Sequence, residues 1–205
     1  MPDPQTLALW ALAFAAAWTQ TLTGFALGLI LMGGCGLFGL LPLPEAALVT
    51  SVLVLVNGSI VLRQGWRQVD RQVLALTLAG TAPMLAIGFA LLGWLAGQAL
   101  WLLQLLLGLL IAGSALQLAA RPQVRAQRSP AASFVAAGAA GGLLGGLFAT
   151  AGPPIIWHLY RQPMTLGTLR VTLVAVFAIN QALRLAIAAA ATGIGGQVAL
   201  VAAGA

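Results

Sequence analysis

The sequence predicts an all-α, polytopic membrane protein with about six spans and an incomplete last segment. Three observations carry this. Hydrophobic residues make up 61% of the 205 residues and charged residues only 6%, whereas a soluble domain carries about 25% charged residues. The apolar residues form runs long enough to cross a hydrocarbon core of about 30 Å. Most of the charge sits between those runs: six of the nine arginines lie in two loops, 63–71 and 121–130. That is the positive-inside pattern, so the net charge of +6 does not argue for nucleic acid. Cys35 is alone, which excludes an intrachain disulfide and a CxxC motif. One histidine and three scattered acidic residues do not make a metal site. No cofactor and no catalytic residue are expected. Asp3, with no Arg before the long first apolar run, predicts that the N-terminus is not cleaved.

The elements follow in order. Leu7–Leu41 holds 35 residues without a charge. As one helix it measures about 52 Å, so it must tilt, break or extend past the lipid. The candidate breaks are Thr23–Gly28 and the Gly33, Gly34, Gly36 cluster, although such a cluster also suits close helix packing. Pro42 and Pro44 open the second span, which runs to about Leu62 and carries Ser51 and Asn57. Glu45 beside them reads as a helix-start residue or as a proton-coupling carboxylate. The third span covers about Val73–Leu95, with Pro83 as a kink. The fourth covers about Ala99–Ala119, with Gln104 and Gln117 as its polar positions. The fifth starts at Ala131 and carries Gly138, Gly142 and Gly146 on one face, a packing surface. The sixth covers Leu166–Ala191 and contains Arg170 and Arg184. The residues after Gly196 are too few to cross.

The fifth span is interrupted at Gly152, Pro153 and Pro154. The prolines remove two backbone donors and disfavour helix before them, and a broken backbone at membrane depth must be buried in protein or line a cavity. His158 follows within one turn. Locally this reads as a kink with an aromatic anchor, or as a substrate site. A shift of 123 residues aligns Phe25 with Phe148, Ala26 with Ala149, Leu43 with Leu166, Asn57 with Asn180 and Leu62 with Leu185. The matched features are an interrupted segment, a proline-containing loop and a helix with a central Asn. One membrane domain, 1–205, is therefore expected to hold two weak repeats, about 5–120 and 131–205, with interrupted helices at matching positions. With four spans per offset the repeats would be parallel. Both basic loops then lie on one side, the cytoplasm. The N-terminus joins them if the first segment crosses once, and Arg161 lies opposite.

The run Gly145–Gly152 followed by Pro153 and Pro154 resembles the second glycine-rich motif of the sulfite exporter TauE/SafE family. Leu169–Thr172 and Asn180 follow at the family's spacing. Thr23–Gly28, the Pro42/Pro44 loop and the Ser51…Asn57 helix are similar to its first motif, with Ala26 and Leu27 where the family more often has glycine. Family members usually continue for two further spans. The resemblance implies a permease of the cytoplasmic membrane for small sulfur-containing anions such as sulfite or organosulfonates.

On the residues alone, the leading expectation is a secondary transporter of a small anion working by alternating access. A half-helix starting near Pro154 would aim its free N–H groups at an anion. Arg170 and Arg184 could supply charge or snorkel to the interface, since Arg184 lies only about two turns from the span's end. Asn57 and Asn180 read as binding groups or as interhelical glue. The candidate substrate-binding set is Gly24, Phe25, Gly28, Asn57, Gly152, Pro153, Pro154, His158, Arg170, Asn180 and Arg184. The expected partners are the lipid bilayer, a small anion and a coupling proton or ion; homo-oligomerisation stays open. The alternative is a non-transporting membrane subunit, or a fragment that needs a partner. An enzyme is disfavoured, because His158 is the only histidine and no GxSxG-like serine is present.

Overall fold

The computed structural model describes residues 4–23, 25–120 and 123–191. Eight α-helices account for most of them: α1 Pro4–Thr23, α2 Leu27–Phe38, α3 Leu43–Gly65, α4 Arg71–Gln98, α5 Leu100–Ala119, α6 Ala131–Phe148, α7 Gly152–Tyr160 and α8 Leu166–Ala191. Five segments are long and apolar enough to cross a membrane: Leu43–Gln68, Arg71–Gln98, Leu100–Gln117, Ala131–Phe148 and Leu166–Ala190. Leu27–Phe38 is a shorter apolar helix. Gly24 and the residues after Ala191, including the short apolar tail, lie outside the described residues.

Sequence chemistry sets the helix starts. Pro44 sits in the first turn of α3, with Glu45 beside it at the positive end of the dipole. Asp70 caps α4, its carboxylate accepting from Gln72 N and Val73 N at 3.1 Å. The glycine cluster does not break α2, which runs through it. Its glycines instead admit neighbours: a Cβ on Gly33 would stand 3.0 Å from Ile111, and one on Gly36 would stand 3.2 Å from Leu107. Pro83 lies inside α4 without ending it.

The tightest packing joins α4 to α6. A Cβ on Gly138, Gly142 or Gly146 would run into the backbone carbonyls of Thr77, Thr81 and Leu85 respectively. Gly80 and Gly88 make the reciprocal approach to the carbonyls of Val135 and Leu143. Thr81 adds a hydroxyl bond to Gly138 O at 3.1 Å. Both series ascend together, so α4 and α6 are parallel. The two basic loops that precede them therefore share one end, and Arg128 pairs with Asp70 across them. This matches the expected shared side. The stripe stops early, because α6 ends at Phe148, two residues after Gly146, whereas α4 continues to Gln98, thirteen residues after Leu85. The end of α6 is thus about 16 Å short of the end of α4.

The fold departs from the expected path at both interrupted segments, because each turns back on itself. Ser133 Oγ lies 3.2 Å from His158 Nε2, and a Cβ on Gly145 would stand 3.3 Å from Ala151, so α7 returns along α6. Arg125 N donates to Arg161 O at 2.8 Å, and Ser129 N donates to Gln162 Oε1 at 3.0 Å. Arg161 therefore lies at the basic end and not opposite it. Likewise a Cβ on Gly34 would strike the Leu12 side chain. A straight run would put those two residues about 33 Å apart, so α2 returns along α1. Only α3, α4 and α5 run end to end between the two hairpins, an odd number, so the hairpins enter from opposite ends. The expected parallel arrangement is overturned: the halves are inverted, because the first segment reverses where a single crossing was expected.

Candidate functional site

The two hairpin tips meet. A Cβ on Gly28 would stand 3.0 Å from Thr150 Cβ and 3.1 Å from Ala149 O. Each tip is formed by an alanine in the left-handed region, Ala26 at φ 91° and Ala149 at φ 53°. No other described non-glycine residue has positive φ. They are 123 residues apart, the offset read from the sequence. Such a conformation costs an L-residue on the order of 1–2 kcal/mol, and here it reverses the chain within three residues.

Between the tips lies a cavity of about 20 Å³, room for about one water. Phe25, Ala26, Gly28 and Leu29 line it from the first tip, and Ala149, Thr150, Ala151 and Gly152 from the second. Val54 of α3 and Phe177 of α8, again 123 apart, close its sides with Gln20 and Gln181. An oxoanion needs several times that volume, so the tips must part to admit one. The tip of α6 lies well inside the bundle. Gln181, which donates to Ala149 O at 2.5 Å, is fifteen residues into α8, about 22 Å from its start.

Electrostatically, the cavity is shaped by helix ends. Neither α2 nor α7 has a side-chain N-cap, so first-turn N–H groups and the positive dipole end face the junction. Pro153 and Pro154 remove two of the donors of α7, which leaves α2 the richer donor. The α6 carbonyl end is met by Arg184. Its Nε reaches Gly146 O at 3.4 Å, and its Nη1 reaches Ala47 O at 3.3 Å and Ser51 Oγ at 3.2 Å. Its guanidinium carbon lies 5.3 Å from the Phe89 ring centre. Ser51 in turn donates to Gln181 Oε1 at 2.9 Å. A buried polar chain thus runs from Arg184 through Ser51 and Gln181 to the tip.

Of the residues predicted for the site, Phe25, Gly28 and Gly152 line the cavity. Phe25 also meets the Tyr160 ring edge-on at 6.2 Å. Gly24 lies outside the described residues. Pro153 and Pro154 open α7 behind the cavity wall, and Pro153 O accepts from Gln117 at 2.8 Å. Asn57 ties α1 to α3 by accepting from Gln20 and donating to Thr21 Oγ1. His158 packs against Ser133 and the Phe134 ring, away from the tips. Arg170 is exposed near the start of α8. Asn180 is buried, with neither side-chain polar atom partnered. Arg184 is 1% exposed and stands behind the wall. Gln20, Thr150 and Gln181 line the cavity without having been singled out. The signal was present as lone polar residues in apolar runs, but such residues read equally well as glue.

Interrupted helices meeting inside a multi-pass bundle are the construction of secondary transporters. The chain belongs to the sulfite exporter TauE/SafE family, whose family model matches residues 9–205. It is 39% identical over 178 residues to a protein of Cupriavidus necator described as a probable sulfite/organosulfonate exporter TauE; the match covers 87% of this chain and 70% of that one. No solved structure matches the chain. The protein is thus a multi-pass membrane protein of an exporter family, not of an enzyme family.

Proposed function

We propose that this protein exports a small sulfur oxoanion, sulfite or a short organosulfonate, across the cytoplasmic membrane by alternating access at the junction of the two tips. The observation that carries this reading is the pair Ala26 and Ala149, matched in sequence offset and backbone conformation and lining one interior cavity. Inverted halves have a natural exchange: parting the tips towards one end while the other stays packed, then the reverse. The family and the description of the C. necator relative support the substrate class. The test is uptake of labelled sulfite and of methanesulfonate by proteoliposomes holding the purified chain. Saturable flux above empty vesicles is expected. A folded chain that moves neither anion refutes the reading and favours the alternative, a membrane subunit that needs a partner.

A further inference from the structure

Among the described residues the cavity has no charged side chain in its wall; its polar side chains are Gln20, Thr150 and Gln181. Arg184 lies outside the wall and gives its Nε and Nη1 to Gly146 O, Ala47 O and Ser51, while its buried Nη2 has no partner among the described residues. The starts of α2 and α7 are each worth about half an elementary charge. The carbonyl end of α6 is met by Arg184 and that of α1 opposes the two starts, so the net field is positive and no more than about one charge. Thr150 stands between them: its Oγ1 would lie 3.2 Å from a Cβ on Gly28 and 3.7 Å from one on Gly152. Thr150 is 7% exposed, and its hydroxyl has no hydrogen-bond partner among the described residues. By contrast, Thr50 and Thr81 return their hydroxyls to a carbonyl of their own helix at 2.8 Å. A buried, unpartnered donor between two uncapped helix starts is what an oxoanion would complete.

We propose that the junction takes singly charged oxoanions, hydrogen sulfite or a small sulfonate, and rejects doubly charged ones such as fully ionised sulfite and sulfate, with the Thr150 hydroxyl donating to an anion oxygen. This rests on the exporter reading above. A helix field of no more than about one positive charge suits a monoanion. It leaves a dianion with an unmatched charge in a dry site, where the cost of removing an ion from water climbs steeply with its charge. The apolar walls of Phe25, Val54 and Phe177 suit the carbon substituent of a sulfonate.

The test uses the full chain in proteoliposomes. Sulfite flux should fall as pH rises through the second ionisation of sulfite. Methanesulfonate, singly charged throughout, should show flat flux over the same range and serves as the control for titration of the protein. Methanesulfonate should compete with sulfite at least about tenfold better than sulfate does. Sulfate competing equally, or sulfite flux rising with pH, overturns the charge rule while leaving the exporter reading standing. No flux of any anion overturns both. Thr150→Val should lower methanesulfonate flux about tenfold, the worth of a hydrogen bond to a charged group, with Thr150→Ser restoring most of it. Unchanged flux in a folded Thr150→Val protein removes the hydroxyl from the site. Should Thr150→Val not fold, the wild-type anion series decides alone.

Discussion

Arg184 shows how one residue's surroundings change its meaning. An intramembrane arginine without an acidic partner invites an anion as its counter-charge. Here the negative end of α6 takes that place, with Gly146 O two residues from the helix end and Ala47 O beside it. Its role is to hold the tip, so Arg184→Met, which leaves Gly146 O and Ala47 O without this donor, should lower the unfolding free energy by about 1–3 kcal/mol, read as a falling melting temperature in detergent. Flux per folded molecule should stay close to wild type. Arg184→Lys should fall between, since an ammonium cannot reproduce the fork that spans two carbonyls and Ser51. Lost flux with unchanged stability would return Arg184 to the substrate site. The tip alanines give a second test. Left-handed geometry is free for glycine and costly for alanine, so Ala149→Gly should stabilise the protein by about 1 kcal/mol. A lower melting temperature would mean that the Ala149 methyl contributes packing that outweighs the relieved strain.

At the scale of elements, the glycines of α6 are spent on approach to α4. A side chain on Gly142 would press on the Thr81 carbonyl, which is backbone and cannot rotate aside. Gly142→Leu should therefore cost about 1–3 kcal/mol or more and part the two helices, whereas Gly108→Leu on α5, with nothing within 4 Å, should leave the melting temperature unchanged. Equal melting of the two variants would contradict the packing. This stripe was legible in the sequence because four-residue spacing of glycine has one physical meaning on a helix face. The break at Gly152 was legible for the same kind of reason, since two prolines cannot both continue a helix. Reversal at the tips was not legible. An apolar run too long for the bilayer can tilt, break or double back, and the outcome rests on two alanines adopting positive φ, which their identity opposes. Thr150 and Gln181 were missed because a hydroxyl or amide in a membrane helix gives no sign of whether it faces a neighbour or a cavity.

For the whole molecule, two inverted hairpins have a consequence for topology that a parallel arrangement does not share. Seven described arginines, Arg63, Arg67, Arg71, Arg125, Arg128, Arg161 and Arg170, fall at the end of the basic loops or in the helix turns next to it. Moving Arg161 to this end sharpens the charge asymmetry, and positive-inside bias predicts that this end faces the cytoplasm. Since α1 and α2 go in and come back, only α3 crosses between the N-terminus and the first basic loop. The start of α1 at Pro4 is then expected outside; a first segment that crossed once would put it inside. Single cysteines in a Cys35→Ser background distinguish the two. Gln68→Cys and Gln123→Cys should resist an impermeant thiol reagent in intact cells. Gln5→Cys should react with it. Met164→Cys, four residues into the return from α7, should be protected together with the basic loops. Labelling of position 164 from outside, or protection of position 5 alongside position 68, would mean that the segments cross once and the hairpins do not form in the membrane. Such a result would also remove the meeting of the two tips, because opposed hairpins are what bring Ala26 and Ala149 to one cavity.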